Sequence, residues 1–226
     1  MNSSTSGVHS AGQDGRVLII TAVDAEREAV LRGLGRSARF EVIAAGVGPA
    51  AAAAGTAAAL AAGNYRLVVS AGIGGGFPGR AAVGSIVAAT AIVAADLGAE
   101  TPEGFRSVDE LGFGSSRLAV DSARTARFAE ALAAAGLPGA SGPVLTVSTV
   151  TGSAATAEAL AVRVPGAAAE AMEGFGVATA AAQYGLPVME VRAISNAVGP
   201  RDRAAWRIPE ALKALEAAST LFLEVL

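Results

Sequence analysis

Short apolar, β-branched runs recur along this chain, each followed by glycine or a small polar residue and then by a stretch with helical spacing. That alternation confines the fold to strands laid parallel with helices covering both faces of the sheet. Residues 16–23 (R-V-L-I-I-T-A-V) read as a buried central strand, with Asp24 a candidate N-cap for the helical A-E-R-E-A-V-L-R-G-L and Gly35 its stop. Residues 40–45 read as a second strand, turned by G-V-G-P at 46–49 into an alanine-rich helix. Residues 66–70, 83–89 and 143–148 are further strand candidates, and A-G-I-G-G-G-F after the first of these reads as a glycine turn. Helices are expected over 121–135, from the turn at 149–153 to about Val162, over 167–184, and over 209–226, where Leu212, Leu215, Phe222 and Leu226 share a face. Residues 94–116 show no periodicity and read as a long functional or mobile loop. The expected fold is therefore α/β, one domain over 16–226 with a mixed, mostly parallel central sheet.

Composition removes several classes of function. The mean hydropathy of +0.49 is inflated by alanine, and no run has the ~18–20 large apolar residues of a membrane span. The stretch at 49–62 comes nearest, but Gly55, Thr56 and Gly63 interrupt it. Residues 1–15, rich in Ser and Gly without a long apolar segment, read as a disordered tail rather than a signal peptide. There is no cysteine, hence no disulfide and no thiolate chemistry. The single histidine, His9, lies in that tail, which excludes a multi-histidine zinc site and argues against a His-based triad. A net charge of −3 and 4% aromatics do not suit a nucleic-acid backbone. A cytoplasmic setting and a small-molecule substrate are expected, with no membrane partner.

Chemistry is expected around 188–203, V-M-E-V-R-A-I-S-N-A-V-G-P-R-D-R, an apolar run that ends in small polar residues. Ligands of α/β domains sit beyond the carboxyl ends of strands, where Ser195 and Asn196 fall. The Asn196 amide can donate to and accept from a heterocycle edge, or serve as a plain turn residue. The glycines at 46–48 and 72–76 either let backbone N–H groups hold an anion or sugar oxygen, or simply make turns. Neither cluster continues as G-K-[ST], so a P-loop is rejected, and neither fits the dinucleotide fingerprint. Glu26 follows the first strand; Glu173 lies among Met172, Phe175 and glycines, where a solvated helix face is a poor explanation. Glu170, three residues earlier, is expected on much the same face. Arg201, Arg203 and Arg207 are either anchors for an acidic substrate group or surface charges, and Asp202 their partner or an acid. Trp206 reads as core packing.

Five segments occur in this order: T-A-V-D-A-E, A-A-G-V-G-P-A-A-A-A-G, S-A-G-I-G-G-G-F with V-G-S-I-V-A, E-A-M-E-G-F-G-V-A, and V-R-A-I-S-N. Together they resemble the nucleoside phosphorylase/nucleosidase superfamily. A-A-D-L-G-A-E at 94–100 and S-N-A-V-G-P-R-D-R-A-A-W-R-I bring them nearest to the futalosine hydrolase family of the alternative menaquinone pathway. The resemblance implies that Glu26 activates water, that Glu173 holds the ribose hydroxyls with Met172 under the sugar, and that Asn196 meets purine N7. Ala171 stands where the family's E-M-E segment has its first glutamate, and Asn196 where adenine-cleaving members carry Asp. An amide matches the N7/O6 edge of a 6-oxopurine, so hypoxanthine is the implied leaving base. Gly72, Ile73 and Ser195 complete the implied substrate contacts. The substrate's carboxyphenyl tail calls for an apolar slot, for which Phe105 and Phe113 are candidates, and for a cation, for which Arg106, Arg201 and Arg207 are candidates. No cofactor or metal is implied, and a homodimer or higher homo-oligomer is. The rivals are a phosphorylase, which would want arginine on the glycine loops where only Arg80 is near, an adenosine-type nucleosidase, and a non-catalytic nucleoside sensor.

Overall fold

The computed structural model describes residues 15–226; the expected tail, with His9, lies outside the described residues apart from Gly15. β1 (Arg16–Thr21) leads into α1 (Asp24–Leu34), and β2 (Phe40–Ala44) into α2 (Pro49–Ala62). β3 (Tyr65–Gly76) and β4 (Ile86–Ala94) are followed by a hairpin of β5 (Gly98–Thr101) and β6 (Gly104–Ser107), then by β7 (Arg117–Ala119). The remainder is α3 (Ser122–Ala134), β8 (Gly139–Thr146), α4 (Ala154–Arg163), β9 (Ala169–Ala171), α5 (Gly174–Gln183), β10 (Val188–Ala197), α6 (Ile208–Thr220) and α7 (Phe222–Val225).

β10, β3, β1 and β2 lie side by side and parallel. β3 also pairs antiparallel with β9, which runs parallel to β8; β8 runs parallel to β4, and β4 pairs antiparallel with β10. These pairings close a ring, with β1 and β2 extending from it. The fold is the expected mixed, mostly parallel α/β sheet with helices on both faces. Alternation along β1 shows why: Val17 and Ile19 pack with Ala29, Val30, Leu215 and Phe222, while Leu18 and Ile20 pack with Ala52, Leu60, Val177 and Ala181. A strand buried on both faces must be apolar throughout, and each such side chain contributes roughly 1.5–3 kcal/mol.

Several expectations are corrected. The stretch 72–76 makes no turn: it is the last five residues of β3, hydrogen-bonded alongside Arg192–Ala197 of β10. The small size of its glycines answers crowding. A Cβ on Gly72 would stand 2.7 Å from both Glu26 Oε1 and an Arg192 guanidinium nitrogen, and one on Gly76 would stand 2.3 Å from the Ala81 carbonyl oxygen. The stretch 167–184 is not one helix. Ala169–Ala171 is a strand wedged between β3 and β8, and α5 starts only at Gly174. Alanine favours helix by local propensity, but the backbone partners on either side override it. Glu170 and Glu173 consequently share no face. Residues 94–116 hold the β5–β6 hairpin rather than an irregular loop, β4 extends to Ala94, β8 begins at Gly139, and the last helix breaks at Leu221. Asp24 is the first residue of α1 rather than its cap; the cap position is Val23.

α5 approaches α2 so closely that a Cβ on Gly176 would sit 2.0 Å from the Pro49 carbonyl oxygen. Gly176→Ala should therefore lower stability by about 1–3 kcal/mol, read from the midpoint of urea unfolding. Gly152→Ala, whose Cβ meets nothing within 4 Å, should leave that midpoint nearly unchanged.

Candidate active site

The carboxyl ends of β1, β2, β3 and β10 come together because those strands are adjacent and parallel. Glu26, in the first turn of α1, points back towards β1. Its Oε2 accepts the N–H groups of Ala22 (2.9 Å) and Val23 (3.3 Å), and its Oε1 accepts that of Ile73 (2.8 Å). Three N–H bonds leave a carboxylate about one further acceptor position, enough for a water molecule. Burial raises the Glu26 pKa, opposed by the Ile73 N–H, the Arg192 charge and the Ala22 N–H. The Ile73 N–H, expected to face substrate, is thus spent on Glu26, and Gly72 supplies the clearance beside it.

Glu173 sits where α5 begins. Its Oε1 accepts the Gly48 N–H at 3.2 Å; its Oε2 accepts from Met172 N and from an Arg192 guanidinium nitrogen, both at 3.3 Å. Gly48 has a φ of 91°, which lets the β2–α2 turn present that N–H. Met172, next to Glu173 in the chain, is half-buried.

Arg192, which the sequence pattern did not single out, ties these groups together. Its side chain is 1% exposed. Nε donates to Glu190 Oε1 (2.9 Å), Nη1 to Glu173 Oε2 (3.3 Å) and Nη2 to Ser70 Oγ (2.8 Å). Burial opposes its charge, but Glu190, Glu173 and Glu26 outweigh that and raise its pKa. Burial also pushes Glu190 up to about 7 against the pull of Arg192. The signal was present in V-M-E-V-R-A: a glutamate and an arginine two apart on a buried strand share one face and must pair.

Asn196 lies within β10 beside Gly75, two residues along β3 from Ile73, or about 7 Å at ~3.3 Å per residue. It is half-buried. The Ser195 hydroxyl donates to its Oδ1 at 2.8 Å, and its Nδ2 donates to the Ala197 carbonyl oxygen at 3.0 Å. One amide N–H remains for a ligand. Glu170 is turned to Thr151, accepting its N–H at 2.9 Å and its hydroxyl. That contact ties the loop after β8 to β9, and burial raises the Glu170 pKa against those two bonds.

Other expected residues stand apart from the carboxylates. Phe105 lies under the Arg163 guanidinium, 3.6 Å from ring centroid, and lines a separate cavity between the hairpin, β7 and α4. Arg106 is exposed on the same hairpin, and Phe113 is 83% exposed. Arg201 is exposed with its guanidinium 5.3 Å from the centroid of the Trp206 ring. Asp202 caps a 3-10 turn (Arg203–Ala205) through Ala204 N, and the Arg207 backbone N–H binds the Ser195 carbonyl oxygen. Among the described residues no helix is long and apolar enough to cross a membrane.

The carboxyl ends of these parallel strands thus gather buried carboxylates and an amide with one N–H to spare. The family model of the phosphorylase superfamily matches residues 24–226, and the chain belongs to that superfamily. The fold agrees: S-adenosylhomocysteine nucleosidase from Streptococcus pyogenes superposes with a TM-score of 0.81 at 21% identity, over 95% of this chain and 98% of that one. Futalosine hydrolase from Streptomyces coelicolor is 54% identical over 219 residues, 88% of this chain and 91% of the relative. That from Acidothermus cellulolyticus is 48% identical over 214 residues, 89% and 87% of the two. Within the superfamily the chain is a member of the futalosine hydrolase family, and an N-glycosidic hydrolase.

Removing the guanidinium strands buried anions. Arg192→Met should cost about 3–5 kcal/mol in urea unfolding at mildly alkaline pH, and adding Glu190→Gln should restore part of the loss. A second expectation concerns pH. Folded Glu190 keeps its proton up to about 7, whereas the unfolded residue loses it around 4.5. Stability should therefore fall as pH rises between those values and level off above, by an amount on the order of 3 kcal/mol. Glu190→Gln should remove that part of the slope of unfolding free energy against pH.

Proposed function

We propose that this protein hydrolyses the N-glycosidic bond of futalosine, a 6-oxopurine nucleoside, to hypoxanthine and dehypoxanthine futalosine. The observation that carries the reading is the neutral Asn196 amide near the end of β10, one N–H unspent, on the same sheet as a buried glutamate with one acceptor position to spare. As the C1′–N9 bond stretches, positive charge grows on the ribose and negative charge on the purine. The Glu173 carboxylate, fixed by Gly48 N, Met172 N and Arg192, uses its remaining acceptor position for a ribose hydroxyl and faces the developing oxocarbenium centre. Asn196 donates to the N7/O6 edge of the departing base, which a protonated acid is not needed to expel. Water polarised by Glu26 adds to C1′ as its proton passes to that carboxylate. The purine anion takes a proton from solvent and Glu26 returns its own to solvent, so one water is consumed and the carboxylate is restored.

Water rather than phosphate as nucleophile is supported by where the arginines are committed. Arg192 is spent on Glu190, Glu173 and Ser70, and Arg80 donates to the Gly166 carbonyl oxygen. For the carboxyphenyl tail, Arg201 over Trp206 offers a cation beside a flat apolar ring, downstream of the Asn196 strand end. Phe105 and Arg106 remain candidates only if a second copy brings them to the site, and a homodimer in the cytoplasm is the assembly we infer.

Hypoxanthine release from futalosine, inosine and methylthioadenosine, followed chromatographically with and without phosphate, tests the reading. Futalosine should be cleaved at a rate indifferent to phosphate. Asn196→Ala should lower kcat about a hundredfold or more, the loss of a donor worth ~3–4 kcal/mol, and Glu26→Gln should lower it further. Near-normal turnover by Glu26→Gln would remove Glu26 from the water step. Phosphate-dependent formation of a ribose 1-phosphate would replace the hydrolase by a phosphorylase.

A further inference from the structure

Glu190 is the one buried acid of the site to which the cleavage described above gives no task. It is 1% exposed on β10, directly beside Ser70 of β3. Its Oε1 accepts the Arg192 Nε–H, while its Oε2 has no hydrogen-bond partner. Space for this carboxyl is made deliberately by backbone: a Cβ on Gly174, where α5 begins, would stand 2.3 Å from both its oxygens.

Three carboxylates, Glu26, Glu173 and Glu190, share the single Arg192 guanidinium. If all were ionised the cluster would carry two uncompensated negative charges away from water, which is costly. Hydrogen bonding distinguishes where a proton can reside. Both oxygens of Glu26 accept backbone N–H groups, and so do both oxygens of Glu173. Protonating either carboxyl would leave at least one of those donors facing an O–H. Only Glu190 Oε2 has no donor opposed to it. An unpaired O–H there forfeits a hydrogen bond, whereas an unpaired anionic oxygen forfeits its solvation, a larger loss.

We propose that Glu190 is a positioning residue for the glycosidic cleavage: it orients the Arg192 guanidinium through Nε and, as the protonated member of the trio, leaves the Arg192 charge to Glu173 and Glu26. The proposal rests on the hydrolase reading above. Burial, which pushes Glu190 up to about 7, agrees with that assignment. The ionisable groups facing Glu190 are Arg192 on its own strand, Glu173 from the start of α5, and Glu26 of α1 across the guanidinium. β3 presents Ser70, β4 presents Ile86, Val87 and Ala88, and α6 packs on the opposite face of β10 against Val191 and Ala193. When Glu190 ionises, the guanidinium is drawn to it and shared three ways, and both the ribose-holding and the water-activating carboxylates lose compensation.

Steady-state futalosine hydrolysis by wild type, Glu190→Gln and Glu190→Leu across neutral pH tests this, together with carbon-13 NMR of the glutamate carboxyls. Wild type should show kcat declining as pH rises past neutrality. Glu190→Gln, which still accepts from Nε and never ionises, should keep the acid-side kcat and carry it to higher pH. Glu190→Leu, with nothing to hold Nε, should lose about tenfold to a hundredfold in kcat with KM moving much less. A Glu190→Gln profile that superimposes on the wild-type one would overturn the proposal, as would a folded Glu190→Leu with wild-type kcat. Should Glu190→Leu fail to fold, the glutamine variant decides. If the wild type cleaves no nucleoside, the hydrolase reading itself falls. The NMR spectrum then judges the proton: a near-neutral carboxyl titration lost in Glu190→Gln supports it, and none in the wild type refutes it.

Discussion

A guanidinium sealed inside a sheet is tolerated only if its charge and its hydrogens are answered on every side, and Arg192 sets that condition for the rest of this site. Glu190 answers Nε, Ser70 and Glu173 answer the two terminal nitrogens, and Glu26 adds its field. Each partner arrives from a different element: β10, β3, the start of α5 and the first turn of α1. The arrangement therefore acts as a check on the tertiary structure. Displacing any of those elements would pull a partner away from a guanidinium whose side chain is 1% exposed.

The same crowding explains the glycines. β3 has to pass under Glu26 and Arg192 and then run between β9 and β10, so side chains are excluded just where its backbone is most needed. The Ile73 N–H binds Glu26, Gly75 runs beside Asn196 and Glu170, and Gly174 gives way to the Glu190 carboxyl. Of the glycines packed around Glu26, Glu173 and Arg192, it is Gly46 and Gly48, with φ of 100° and 91°, that need a left-handed backbone. At those two positions a turn holds Glu173; elsewhere in the site the absence of a Cβ is the point.

Much of the architecture could be read from residue patterns. β1, α1, β2, α2, α3 and α4 followed from apolar runs, an Asp121 cap, and glycine stops, because these depend on neighbours close in the chain. Ala169–Ala171 could not, since A-A-A-E-A-M reads locally as helix and becomes strand only through backbone partners from β3 and β8. The hairpin at 98–107 was hidden for a similar reason: its strands are four residues each and half-exposed, too short for a period to show. Within the site, Glu26, Glu173 and Asn196 stood out as polar residues at apolar strand and helix ends. Arg192 and Glu190 did not, because inside the apolar run 188–194 their pairing shows only once the strand is known to be buried on both faces.

What the sequence determined by itself is the alternating α/β plan, the absence of thiol and multi-histidine chemistry, and the identity of the polar side chains at the strand ends. What only the tertiary structure decided is which of those side chains meet. Glu26 and Glu173 are brought to one guanidinium from residues 26, 173 and 192, and Glu170, three positions from Glu173, is sent to Thr151 instead. The physical reason is that charge pairing in a water-free interior depends on distances in space, and parallel strands place side by side residues that the chain keeps far apart.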